Sequence, residues 1–367
     1  MADMDTNTFR RFAKKLNNWL VLHEYSKHVY MPTCEEEVNS VMSKFQKLGF
    51  PGAITTADAV HVWWDNCPTS ERHMNTGKEG YPTRVYNCCV GPNREFHHVH
   101  GSHPGARNDK TVARFDPIFS AMRSGSLYPH ATFTLRRQDG GHRTMSGLYI
   151  IVDGGYHHWR CLQFPSKASS IPGVMRWSKR LESVRKCSED AFGILKKKFS
   201  ILAKSISFKD STQSAVHIDN VFRVCVMLHN HCLRHYGWHT VGDEPTHWIR
   251  ANLDADESRI MAGAAHPPMH AQQRTQPQAR VDDSVVGNDT VVEVEETHSQ
   301  LRDALVEHFM EEWKEKQILW MKPGLMCARA HDHRPLEFGG ARKNSAPEES
   351  DEDEDEHEDD LASGEDF

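Results

Sequence analysis

The stretch LYIIVDGGYHHW, residues 148–159, sets five apolar or aromatic residues in a row, then an acid, then two glycines. A run with no polar alternation belongs to a strand buried on both faces, and such strands sit at the centre of sheets covered by helices. Asp153 would end that strand, at the rim where open α/β sheets bind their ligands. A second segment repeats the theme. AITTADAVHVWW, from Ala53, reads as a strand, and by two-residue alternation Asp58 shares a face with Ile54, Val60 and Val62.

The order of the other elements sets the fold class. TRVYNCCVG and REFHHVHGS follow as two further strands, NDKTVARFDPIFSAMRSG predicts a helix, and WSKRLESVRKCSEDAFGILKKKFSILAK predicts a long one. Three strands in succession imply an antiparallel meander; adding helix, strand and helix gives a mixed α/β sheet covered on both faces. Residues 1–29 predict one amphipathic helix with Phe9, Phe12, Leu16, Trp19 and Leu20 at helical spacing. The folded domain is expected over 30–237 and a Pro-, Gln- and Ala-containing linker over 238–298. An isolated helix carrying Leu301, Leu305, Phe309 and Trp313 is expected over 299–321, and a disordered acidic tail over 322–367.

The tail hides the charge of the rest. Thirteen of the 51 acids lie in the final twenty residues, so without those thirteen negatives the formal charge moves from -7 to +6. Nine cysteines with no CxxC pair, no secretory signal and no apolar run near about 18 residues lead us to expect a reducing compartment and no membrane association.

Two lone acids on central strands call for a counter-charge. A buried, unpaired carboxylate is costly and takes up a proton, whereas a bound divalent cation lets several stay ionised. The long helix offers a third acid: Leu181, Val184, Ser188, Ala191, Leu195 and Leu202 form its buried stripe, and Glu189 falls at the stripe's edge. Gly193, one turn later, leaves space beside it. From Asp153 to Lys209 there are twelve Lys or Arg against four acids, a balance suited to a phosphodiester polymer held by cations. Arg185, Lys186, Lys196, Lys197 and Lys198 are the candidate DNA contacts. His61 is a candidate donor that orients Asp58.

Each acid also has a structural reading. Asp153 before Gly-Gly suits turn chemistry, Glu189 can balance Arg185 and Lys186 along the helix, and Asp58 can be a buried acid paired with His61 or an Arg. Cys225, His229, His231 and Cys232 resemble zinc spacing, but VCVMLHNHCL places its apolar residues as a packed helix does. His157, His158 and the HHVH segment at 97–100 read as strand or surface histidines before phosphate contacts.

Taken together, GFPGAITTADAVHVWWDNCP, KEGYPT, ARNDKT, LYIIVDGGYHHW and SEDAFGILKKKF, followed by Leu228-His229-Asn230, resemble the DDE endonuclease domain of PIF/Harbinger transposases over about residues 30–237. The resemblance implies an RNase H-like five-stranded mixed sheet and a triad of Asp58, Asp153 and Glu189. It also implies 35 residues between the last two acids, as found here. The implied chemistry is nicking and strand transfer of DNA with two Mg²⁺ or Mn²⁺ ions, Asp58 bridging both and Asp153 and Glu189 each holding one. Asp109 in ARNDKT is implied as an accessory or helix-capping acid. Transposon ends, a separate Myb/SANT-like DNA-binding protein, a homo-oligomer and the nucleus are the implied partners and setting. Two departures stand out: Thr55, Thr56 and Ala57 replace the usual Gly-Ser pair and apolar residue, and 57 residues precede Asp58 where relatives carry a longer helical region, of which 1–29 would be a remnant. The rival expectation is a domesticated or decayed relative that binds DNA or a partner protein without cutting.

Overall fold

The apolar runs form the sheet's centre in the computed structural model, which describes residues 5–206, 211–237, 260, 289–315, 317 and 318. β1 (Ala53–Trp63), β2 (Thr83–Val90) and β3 (Phe96–Pro104) make the antiparallel meander. Two short strands, β6 (Tyr149–Ile151) and β7 (Leu162–Gln163), continue the sheet in parallel on the other side of β1. The order β3-β2-β1-β6-β7 gives the expected five-stranded mixed sheet flanked by helices. Every residue of β2 and β6 is buried, as runs without alternation require.

β4 (Thr132–Arg136) and β5 (His142–Ser146) form a separate hairpin that the sequence reading did not anticipate. Phe133 and Leu135 are its buried residues, too few to produce an apolar run. The single helix expected over 108–125 is two, α5 (Asp109–Phe115) and α6 (Pro117–Arg123). Pro117 cannot continue a helix but suits its first turn, where the Asp116 side chain caps the Ile118 N–H. The N-terminal helix likewise divides, into α1 (Thr6–His23) and α2 (Tyr25–His28). Its apolar stripe is largely exposed: Phe9, Phe12, Leu16 and Trp19 face outward, while Leu20 packs inward toward α9 (Ser211–His235).

Two apolar clusters hold the layers. One gathers Phe45 of α3 (Glu35–Lys47), Phe50, Ile150 and Phe119 with Trp177, Leu181 and Val184 of α7 (Pro172–Lys198). The other joins Val60, Tyr86 and Phe96 to Ala191 and Leu195 of α7, Leu202 of α8 (Ser200–Ala203), and Phe222 and Val226 of α9. Each fully buried side chain of this size contributes about 1.5–3 kcal/mol. The remaining short helix, α4 (Thr69–Asn75), follows β1.

The C-terminal helix is not isolated. α10 (Asp289–Lys314) begins ten residues before the expected start, and Leu301, Leu305 and Phe309 lie in the same cluster as Phe50 and Trp177. Arg136 on β4 donates to Glu312 of α10 and to Glu315 just past its end, and the Gln138 N–H donates to Glu307. The expected linker and acidic tail otherwise lie outside the described residues, apart from Ile260. No described helix is long and apolar enough to cross a membrane.

Candidate active site

Strand register decides where the acids go. β6 pairs with β1 in parallel, with Thr56 opposite Ile151, and Asp58 and Asp153 each lie two residues further on. The matched offset brings mid-β1 Asp58 level with Asp153 in the loop just past β6, on neighbouring strand lines about 5 Å apart, and the Asp153 charge acts on Asp58. β6 ends at Ile151, so β1 runs on past it until Ile206 pairs in parallel with its end, its N–H donating to the Trp63 carbonyl at 2.9 Å. Asp153 Oδ1 accepts the Gly155 N–H at 2.7 Å, the turn bond that Asp-Gly-Gly permits.

Gly155 has a second reason to be glycine. A Cβ built there would stand 2.9 Å from Asp153 Oδ1 and 3.0 Å from Asp109 Oδ2, so its bare backbone lets two carboxylates share the space. Asp109 therefore belongs to the acidic centre. Capping of α5 falls to Asn108, whose side chain accepts the Thr111 N–H at 2.8 Å, which corrects the capping role expected of Asp109.

Glu189 projects from α7 with its side chain 48% exposed, and Arg185 stands between it and Asp58. The Arg185 guanidinium donates to Asp58 Oδ2 at 3.1 Å, to Glu189 Oε1 at 2.7 Å, and through two nitrogens to Glu182 at 2.7 and 3.2 Å. The side chain is buried, so Arg185 is not the exposed phosphate contact that the sequence suggested. Burial works against its charge, but Glu182, Asp58 and Glu189 more than offset that and raise its pKa. Burial pushes the Asp58 carboxyl up to about 6 against the pull of Arg185 and the Ala59 N–H, and the charges of Asp153 and Asp109 add to the rise. Asp109 is raised by burial and by Asp153. Among the described residues, no three His, Cys, Asp or Glu side chains stand close enough to hold one metal ion.

Other expected residues sit differently. His61 is three residues from Asp58, hence on the opposite face of β1, and its Nδ1 pairs with Thr83 Oγ1 at 2.9 Å; it does not orient Asp58. Lys186 and Lys197 are exposed, whereas burial lowers the pKa of Lys196, and Lys198 lies toward the buried His229. Consecutive helix residues point about 100° apart, so the three lysines form no single patch. His229 and Asn230 brace the sheet edge: His229 Nε2 meets the Arg94 carbonyl at 3.0 Å, and Asn230 bonds the main chain of Phe96 and His28.

A buried polar chain missed in the sequence supports the rim. The Tyr156 hydroxyl donates to Asn87 Oδ1 at 2.8 Å, Asn87 Nδ2 donates to Asp116 Oδ2 at 2.7 Å, and His98 Nε2 lies 3.0 Å from Asp116 Oδ1. Burial alone would raise the Asp116 carboxyl, but the His98 and Asn87 bonds bring it below its ordinary value. The chain ties the loop after Asp153 to the middle of β2 and the start of α6. Asn87 within an apolar strand was the signal available, since a buried amide needs partners.

Residues 26–237 match the family described as plant transposon protein. The chain belongs to the plant transposon protein family. The matched span of this plant transposon protein includes Asp58, Asp109, Asp153, Arg185, Glu189 and Asn230, and excludes α1 and α10. Neither the curated proteins nor the solved structures gave a match.

Proposed function

We propose that this plant transposon protein is a PIF/Harbinger-type DDE nuclease that cuts and joins DNA at transposon ends, with Asp58, Asp153 and Glu189 as its metal ligands. The observation that supports the reading is the matched register of Asp58 and Asp153, each two residues beyond the Thr56–Ile151 pair, with Asp109 beside Asp153 and Glu189 linked to Asp58 through Arg185. The donor chemistry fits: all the acids offer oxygen, and Asp58, raised mainly by burial and further by the charges of Asp153 and Asp109, would gain from a bound cation. Bound Mg²⁺ or Mn²⁺ ions would supply the Lewis acidity that activates a water or 3′-hydroxyl and stabilises the leaving oxygen. Asp58, Asp153 and Glu189 would hold them, and Asp109 would add charge without being required as a ligand. Lys186 and Lys197, exposed on the same helix as Glu189, would contact phosphate. The nucleus, a Myb/SANT-like DNA-binding partner and a homo-oligomer belong to the same proposal.

One observation favours a second reading, a relative that binds without cutting: Arg185 fills the space between Asp58 and Glu189. Nicking of duplex DNA carrying a family-like terminal repeat, with Mg²⁺, separates the two. The nuclease reading expects Asp153→Asn to lose activity by orders of magnitude while remaining folded; near-normal nicking would remove Asp153 from the chemistry, and no nicking by the unaltered protein would favour the second reading.

A further inference from the structure

Glu182, Arg185 and Glu189 follow one another at three- and four-residue spacing along α7, so a single face of the helix presents acid, base and acid toward β1. Arg185 spans Asp58 and Glu189 while being gripped most firmly by Glu182, an acid outside the expected triad. We infer that Arg185 is the resident counter-ion of this acidic site: it holds Asp58 and Glu189 in the metal-free protein, and must release both and stay on Glu182 before divalent cations bind. This rests on the reading of Asp58 and Glu189 as metal ligands.

The guanidinium fork makes such a movement economical. Nε and one terminal nitrogen form a two-point contact with Glu182, while the other terminal nitrogen reaches Asp58. Releasing Asp58 breaks one bond, and releasing Glu189 frees a nitrogen that Glu182 already shares. There is also room. An open pocket of about 350 Å³ borders Glu182 on the side away from Asp58, lined also by Lys167, Met175, Ser178 and Lys179, and leaves the Glu182 side chain free to shift with Arg185 held on it. A guanidinium and a divalent cation seek the same carboxylate oxygens, so the two states exclude one another. The buried position of Arg185 sharpens the choice, because Asp58 without either cation is left as an uncompensated charge.

The test is Mn²⁺ binding to the full chain without DNA, by calorimetry and by the rise in Tm that Mn²⁺ produces. Arg185→Gln should bind Mn²⁺ about tenfold more tightly than the unaltered protein and gain more in Tm. Glu182→Gln removes the place to which Arg185 withdraws, and should bind several-fold more weakly; a merely structural Glu182 would leave Mn²⁺ affinity unchanged. A folded Arg185→Gln variant with equal or weaker affinity overturns the inference. Should that variant fail to fold, unchanged affinity in Glu182→Gln overturns it. Asp58→Asn is the control for the underlying reading: if it binds Mn²⁺ as the unaltered protein does, or neither binds, the metal assignment falls and the counter-ion role with it.

Discussion

Asn230 of α9 holds both main-chain groups of Phe96 on β3: its carboxamide oxygen accepts the Phe96 N–H at 2.9 Å, and its Nδ2 donates to the Phe96 carbonyl at 2.7 Å. The same nitrogen donates to the His28 carbonyl at 2.8 Å. β3 is the sheet's edge strand, and a side chain here acts as the missing neighbour that an edge lacks.

Replacing Asn230 with Ala should therefore cost about 2–4 kcal/mol in urea unfolding, since buried main-chain groups lose their partners. Asn230→Asp should recover little, because a carboxylate keeps the acceptor and loses both donated bonds. A cost below about 0.5 kcal/mol in either variant would show that water replaces the amide.

Asp58 should be a liability to folding. Its value in the folded protein, about 6, stands above the ordinary 3.8, so its ionisation costs stability that is intact below pH 3.8 and fully lost above pH 6. Asp58→Asn should stabilise the protein by about 1–3 kcal/mol at neutral pH, with the gain vanishing toward pH 4, while nicking is abolished. A lower Tm for the variant at neutral pH would mean that the bond to Arg185 outweighs burial.

Gly155 and Gly154 offer a matched comparison. Alanine at 155 presses on the carboxylates of Asp153 and Asp109, whereas a Cβ at 154 meets nothing within 4 Å. Gly155→Ala should weaken Mn²⁺ binding several-fold and Gly154→Ala should not. Equal effects would mean that the glycine pair serves the turn alone.

Acid should loosen α10 first. Burial holds His298 and His308 down at about 4, so both stay neutral in the folded protein; their contribution is complete above pH 6.5 and lost as pH falls toward 4. His308 Nδ1 accepts the Arg136 N–H at 3.0 Å, a bond that protonation removes. Asp58, Asp109 and Asp219 are raised and act in the opposite sense over the same range, so the local measurement is the informative one. Hydrogen exchange at pH 5 should show α10 and β4 amides losing protection ahead of β1 and β2; uniform loss would refute the local account.

The legible parts of the sequence were those with strong patterning. LYIIVD announced a buried strand because nothing polar interrupts it before Asp153, TRVYNCCV did so although Asn87 breaks its apolar run from Val85 to Val90, and the stripe from Leu181 to Leu195 announced α7. The β4–β5 hairpin announced nothing, since Phe133 and Leu135 alone turn inward. The acids of the rim were visible as residues, and so were their structural roles: the turn bond of Asp153, the Arg beside Asp58 and the pairing of Glu189 with Arg185 are all present. What no pattern revealed is that one arginine serves both Asp58 and Glu189. That depends on how α7 lies across β1, a tertiary fact 127 residues apart in sequence.

Phe309 stacks on Phe50 with ring centroids 5.7 Å apart, and a side chain at Gly49 would run into it. The segment that carries the family likeness, residues 26–237, thus lacks a wall of its own interior until a helix from much later in the chain arrives. Closing so long a loop costs entropy that nearby contacts do not repay, and such distant pairings fold slowly. A ribosome making this protein releases the strands and their acids well before the piece that seals them, so Phe50 has no stacking partner at Phe309 until that residue emerges.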